Sequence, residues 1–423
     1  MIAVFLVGGF MYISNLKLIK GMLYMTKFYT NFNLFNGVEA EIVSDSWMEV
    51  DEESGKVTRI GHGTKKVSGE NIDLKGKYVM PGLINVHTHI MMNPLTNKLE
   101  YLSETEVAYQ ALKNLKELLK SGVTYIRDCG CAFDVDIKLA KLQNEGVFDG
   151  TEIMPSGRPM SMTGGHGDFV EGWDGETTWG YLTDSPDDMR KAVRQAFKIG
   201  AKNIKLMATG GVMSATDQID DIELSLEELK IAVEEAHSKH MTVSAHAEGE
   251  KGIHNAVLAG VDSIEHGSYV SDEDIELMLA QGTFLTPTLI AAYTIPKYGK
   301  GKLPQYMLDK ASAFMDKYFE RIGAAIKAGV KISFGTDAGT PFNGFKDTTF
   351  ELELLTSVGA SNEQALFAAT KNAAELLHID KEYGSLEVGK YADFIVLDAD
   401  PLENIKAVQQ EDKSVYKKGI KKF

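Results

Sequence analysis

Helical stretches in this chain are closed by single glycines, and several of those glycines lead into a short β-prone run. Gly122, Gly200, Gly260, Gly282 and Gly329 mark the pattern. Glycine ends a helix because it takes up the left-handed backbone there without steric cost. Strands alternating with amphipathic helices imply βα units and a parallel sheet. Eight candidate strands fall near residues 83–89, 123–128, 152–157, 203–207, 242–246, 262–266, 283–287 and 331–336. Between them, one helix is expected from Leu226 to His237, where Ser225 and Glu228 make a capping box. Another is expected from Met307 to Lys327, with apolar residues at three- and four-residue spacing. Eight such repeats suit a barrel better than a doubly wound sheet. No Gly-rich dinucleotide fingerprint follows the first strand, which removes the main competing use of a parallel sheet.

The two ends of the chain have a different texture. From Lys27 to Met80 the sequence is short strands and turns, and similar texture returns at Gly384–Gly389 and Ala392–Asp398. Two β-rich pieces at opposite ends pair readily into one small unit. The fold class expected is therefore α/β: a distorted (β/α)8 TIM-type barrel over 81–383, plus a small β-sandwich domain built from 25–80 with 384–423. Residues 1–24 read as an N-terminal extension outside the fold. Their apolar run, Ile2–Ile13, is too short to span a bilayer, and the lysines follow it rather than precede it as a signal peptide requires.

Charge excludes one large class of function. The 423-residue chain carries a formal charge of −16 and no basic stripe, so no nucleic-acid partner is expected. Cys129 and Cys131 are separated by one residue, a spacing unsuited to an unstrained disulfide, and read as reduced thiols of a cytoplasmic protein.

Five of the runs end on metal-binding side chains: Val86-His87-Thr88-His89, Lys202-Asn203-Ile204-Lys205, Val243-Ser244-Ala245-His246, Ser263-Ile264-Glu265-His266 and Phe334-Gly335-Thr336-Asp337. Barrels put their chemistry at the C-terminal ends of strands. Strand alternation lets His87 and His89 point together. Any one of these residues alone has a structural explanation, such as a core histidine or a turn aspartate. Lys205 is the exception, since a lysine ending a buried strand must pair with a carboxylate or lose its charge.

Pro81-Gly82-Leu83-Ile84 before His87-Thr88-His89, together with Gly335-Thr336-Asp337, resembles the amidohydrolase superfamily of metal-dependent hydrolases. The resemblance is to its imidazolonepropionase-related branch, which includes Xaa-Pro dipeptidases and carboxypeptidase-like enzymes, and it runs from Leu34 to Leu397. It implies two divalent metal ions, most often zinc. His87, His89 and Asp337 would hold one, His246 and His266 the other, and Lys205 would bridge them as a carbamate formed with carbon dioxide. A metal-bridging hydroxide would attack the amide of a dipeptide or N-acyl amino acid, with Asp337 moving the proton. His166, in the glycine-rich Met162–Asp168 loop, matches a histidine that polarises the scissile carbonyl, and Tyr269 matches a substrate-contacting tyrosine. The expected partner is thus a small-molecule or dipeptide substrate, with a homo-oligomer left open.

Other readings remain at this stage. A mononuclear member would open a cyclic amide or deaminate a heterocycle, but such members place a glutamate where Gly249 stands, one residue after Glu248. A non-catalytic metal-binding barrel would be expected to lack a ligand, and none is missing. His62, His237, His240, His254 and His378 read as structural. Arg127 and Arg158 are open as partners for a substrate carboxylate. The acidic group Asp168, Glu171 and Asp174 suits either basic substrates or a solvated loop.

Overall fold

The computed structural model describes residues 26–64, 70–95, 102–168 and 177–423. The expected extension, and Glu171 and Asp174, lie outside the described residues. Helices begin and end where side chains satisfy the free backbone groups. Ser103, Ser225, Ser271 and Ser361 each accept the N–H three residues on, and the side chain at that position reaches back to complete a capping box. Gly122, Gly200, Gly260, Gly282 and Gly329 all close helices with φ between 76° and 114°. The helix expected from 226 to 237 spans Leu226–His237, and the one expected from 307 to 327 spans Gln305–Ala328. No helix among the described residues is long and apolar enough to cross a membrane.

The parallel strands form two sheets rather than one closed barrel ladder. One sheet holds Leu83–Thr88, Val123–Asp128 and Glu152–Met154 in order. The other runs Phe284–Thr286, Ser263–His266, Thr242–Ala247, Asn203–Met207, Met160–Ser161 and Tyr181–Leu182. Two local causes interrupt the ladder. Pro155 has no N–H to donate, so the strand expected over 152–157 stops at Met154. The Pro155 carbonyl still accepts from Lys202 N–H at 2.9 Å, linking the sheets by isolated bonds. On the other side, residues 331–336 make only single bridges, Leu285 with Ile332 and, just beyond, Thr88 with Ala338. The Phe334 N–H turns away to Ala368 O at 2.9 Å, while its carbonyl accepts from Val86 at 2.8 Å.

The chain ends build a single seven-stranded sheet, not the two facing sheets of a sandwich. Its order is Ile420–Lys421, Ser414–Lys417, Phe394–Leu397, Glu70–Pro81, Thr26–Leu34, Val43–Asp51 and Val57–His62. The 12-residue strand Glu70–Pro81 is paired on both sides, parallel to Thr26–Leu34 and antiparallel to Phe394–Leu397, so all seven strands join in one hydrogen-bonded series. Its buried cluster centres on Tyr29, Phe394 and Tyr416, whose rings lie 4.3–5.5 Å apart. Lys417, buried, ion-pairs with Glu152 at 2.9 Å and so ties this sheet to the three-stranded one.

Candidate metal centre

His87, His89, His166, Lys205, His246, His266 and Asp337 line one cavity. They come from six separate chain segments, and parallel pairing brings the strand-borne ones level. Met207 pairs with His246, and Ala247 with His266. Asp337 lies just beyond the 331–336 segment, where its N–H donates to His87 O at 2.8 Å. Gly335 is required at this approach: a Cβ there would lie 2.2 Å from Thr286 Cγ2 and 2.7 Å from His87 Cβ. His266 and Asp337 both hold left-handed backbones, with φ of 68° and 56°. Non-glycine residues seldom adopt that region, and such strain gathers at functional sites.

Each histidine has one ring nitrogen committed, and the orientation of the rest follows. His87 Nδ1 lies 2.7 Å from Glu265 Oε2, His89 Nδ1 3.1 Å from Gly130 O, and His266 Nδ1 2.7 Å from Thr288 Oγ1. His246 instead uses Nε2, 3.0 Å from Gly210 O. Partners of this kind fix a tautomer and aim the opposite nitrogen, the arrangement expected around metal-ligating imidazoles. Asp337 Oδ1 is 3.4 Å from His87 Nε2 and 3.2 Å from His89 Nε2. His87 Nε2 is buried and makes no hydrogen bond, a costly state for a polar atom unless something else occupies its lone pair. His87, His89 and Asp337 thus present three donor atoms within 4.8 Å of one another.

Charge states suit the same purpose. Burial pushes His87 down to about 4, reinforced by Lys205. Burial and the neighbouring cationic groups push His246 and His266 well below the usual imidazole range. Neutral imidazoles are the form that ligates metal. Burial alone would raise Asp337, but the hydrogen bond from His89 and the nearby His87 outweigh it and hold the carboxyl below its usual range. Lys205 is buried, with 2% exposure, and among the described residues no carboxylate reaches ion-pair distance of it. The residues present therefore fit a divalent metal: neutral nitrogens, an ionised carboxylate, an imidazole nitrogen with no hydrogen bond, and a buried lysine with no carboxylate at ion-pair distance.

His166 reaches the cavity from the loop after Met160–Ser161. Its N–H donates to Glu223 Oε1 at 2.7 Å, and its Nδ1 lies 2.9 Å from Asp217 Oδ2. Lys310 holds Asp217 in turn, at 3.0 Å from Oδ1, and bonds Gly211 O and Ser214 O at 2.9 Å. The His166 and His246 rings stack 4.6 Å apart, and Gly211 packs against both; a Cβ on it would meet their ring atoms at 2.5 and 3.0 Å. Tyr269 does not line the cavity. It is half-buried, with its ring 6.4 Å from Phe314, which does.

Several expectations are corrected here. Arg127 is fully buried and committed to Glu265 Oε1 at 2.6 Å and Val86 O at 2.7 Å, so it is not available to a substrate. Arg158 lies beside Asp134 and over the Tyr181 ring, outside the cavity wall. Glu265 went unassigned, although an acid inside an apolar strand run next to His266 needs a buried partner. Glu248 also lines the cavity, where burial pushes its carboxyl up to about 8. Cys129 and Cys131 are buried and free, and burial holds the Cys129 thiol protonated, up to about 12. Cys129 lies close to His87 and Glu265, but His87 Nδ1 and Glu265 are committed to one another at 2.7 Å. His237 and His254 pair with Asp262 and Asp274 at 2.9 and 2.8 Å, and His62, His240 and His378 stay outside the cavity wall.

A mixed α/β chain that gathers histidines, a lysine and an aspartate at its strand ends has the layout of a metal-dependent hydrolase. The amidohydrolase family profile matches residues 78–421, and the chain belongs to that family. Among its relatives is ochratoxinase of Aspergillus niger, 35% identical over 368 residues that cover 80% of this chain and 73% of that protein. The imidazolonepropionase of Caldanaerobacter subterraneus subsp. tengcongensis is 25% identical over 389 residues, covering 82% of this chain and 83% of its own. Among solved structures, a Xaa-Pro dipeptidase with methionine bound in its active site superposes with a TM-score of 0.86 at 29% identity. That match covers 94% of this chain and 99% of the dipeptidase.

Proposed function

We propose that this protein hydrolyses the amide bond of an N-acyl amino acid or dipeptide whose side chain is apolar, using two divalent metal ions. The observation that carries the reading is the buried, unpaired His87 Nε2 facing Asp337, within a cavity that also gathers Lys205, His246 and His266. His87, His89 and Asp337 would hold one ion, His246 and His266 the other, and carbamylated Lys205 would join them. When bound, such ions lower the pKa of water and polarise an amide carbonyl. Asp337, ionised, accepts the proton of the attacking water and returns it to the leaving amine. His166, fixed by Asp217 and Glu223, orients the carbonyl. Beyond the donors, the cavity wall is mostly apolar, with Met92, Trp179, Met207, Met213, Ile295 and Phe314 beside the polar Glu248, Ser268 and Thr340. Such a wall favours an apolar or aromatic side chain over a charged one. The methionine bound in the active site of the similar Xaa-Pro dipeptidase is compatible with that preference.

The test is hydrolysis of paired substrates, such as N-acyl phenylalanine, methionine, lysine and aspartate, by zinc-loaded protein supplied with bicarbonate. Release of the apolar amino acids, lost in Asp337→Asn, is expected. Preference for the lysine substrates, or full activity in Asp337→Asn, overturns the reading. Metal analysis of Lys205→Ala tests the bridge separately: retention of two tightly bound ions removes it.

A further inference from the structure

A second cavity, of about 760 Å³, lies on the far side of the helix Leu289–Tyr298. That helix is a party wall. Ala291, Ala292 and Ile295 face the metal-centre cavity, while Ile290, Tyr293, Thr294, Lys297 and Tyr298 face the second one. The two sets lie on different helical faces, so the cavities are separate.

Lys413 borders the second cavity. It is only 5% exposed, and among the described residues it has no hydrogen-bond or ion-pair partner. Glu411 and Asp412 act on that ammonium only from beyond ion-pair distance, and the cavity leaves room for a closer counter-charge. Glu117, Asp347 and Glu411 also border the space, but none reaches ion-pair distance of Lys413. Lys120, Lys297 and Lys346 add three further cations to the wall. Four aromatic rings, Tyr293, Tyr298, Phe342 and Phe350, stand in the wall among polar side chains such as Thr349 and Gln409. The volume falls within the range of small-molecule sites, and the pairing of flat apolar walls with a buried charge is what such sites use for affinity and orientation.

We propose that this cavity binds a small organic anion with an aromatic body, its carboxylate on Lys413 and its ring among Tyr293, Phe342 and Phe350. Recognition by Lys413 requires the negative charge, and recognition by the aromatic walls requires the ring. The site does not depend on the reaction assigned to the metal centre.

The probe is 3-phenylpropanoate, titrated calorimetrically into the metal-loaded full chain, with 3-phenylpropylammonium as the charge-reversed control. Binding of the carboxylate alone is expected, weakened about tenfold or more by Lys413→Met and unchanged by Asp337→Asn. If Lys413→Met proves unfolded by circular dichroism, Lys297→Met and Tyr293→Ala at the rim are each expected to weaken binding. Equal affinity in folded Lys413→Met, loss in Asp337→Asn alone, equal binding of the ammonium, or no binding at all overturns the proposal.

Discussion

The side chain on which the metal centre leans most is one that carries no ligand role. Glu265 is fully buried between Arg127 and His87, accepting from the first at 2.6 Å and facing the second at 2.7 Å. Burial would raise its carboxyl, but Arg127 and then His87 overcome that and hold it down at about 2. It therefore stays an anion that aims His87. Glu265→Gln is expected to fold and to bind metal about 10–100-fold more weakly, as orienting partners of ligating histidines do; competition against a chelator measures it. Unchanged affinity would confine Glu265 to a structural role. Arg127→Met is the harsher change, because it leaves a buried carboxylate unpaired; a loss of about 3–5 kcal/mol is expected in urea unfolding. That the candidate ligands gather in one cavity was legible, since each stands at the end of an apolar run where barrels keep their chemistry. Glu265 was not, because its partner Arg127 lies 138 residues away and nothing local announces the pair.

Among the elements, the helix Leu289–Tyr298 joins most of what the molecule does, and its start is unusual. Thr288 has φ of 52° and makes no side-chain cap. The helix is capped instead from outside, with Leu289 and Ile290 N–H donating to Glu351 at 2.8 and 2.7 Å. Burial pushes Glu351 up to about 8, against the two backbone donors that act to lower it. Its folded pKa thus lies above the unfolded value near 4.5. The associated stability is fully present below that value, declines as pH rises toward about 8, and is level beyond. The slope cannot exceed about 1.4 kcal/mol per pH unit for one group. Glu351→Gln is expected to flatten the unfolding free energy between pH 5 and 8 (an order-of-magnitude window from the same shift); an unaltered slope would mean other groups carry it. A second test concerns the segment that ends on Asp337. Gly335→Ala is expected to fold poorly or lose the site, with partial recovery from Thr286→Ser, which removes the Cγ2 that the new methyl would strike. The helices and their glycine stops were readable from sequence because both are local. The failure of 331–336 to form a regular strand was not, since it follows from Phe334 bonding to Ala368 in a distant turn.

For the molecule as a whole, the terminal sheet and the βα region share buried charge. Lys417 belongs to the first and Glu152 to the second. Lys417→Met is expected to lower stability by about 1–3 kcal/mol through the hydrogen bonds it gives up, Glu152 keeping Lys418 at 3.7 Å; urea unfolding measures it, and no measurable loss would show the tie to be incidental. That both ends of the chain contribute β structure was visible in their texture. That they make one sheet rather than a sandwich was not, because composition does not say which edges pair. The interruption at Pro155 was likewise hidden, although the proline stands in the sequence, because its effect depends on which strand lies beside it. A hoop of strands can release no stave without breaking bonds along both sides. Here the three-stranded sheet that carries His87 is joined to its neighbours by isolated backbone bonds and by the buried Arg127–Glu265 pair, not by a continuous ladder. Slow hydrogen exchange should then divide the molecule along that line, with amides at 202–203 and 331–337 exchanging together before those inside either sheet.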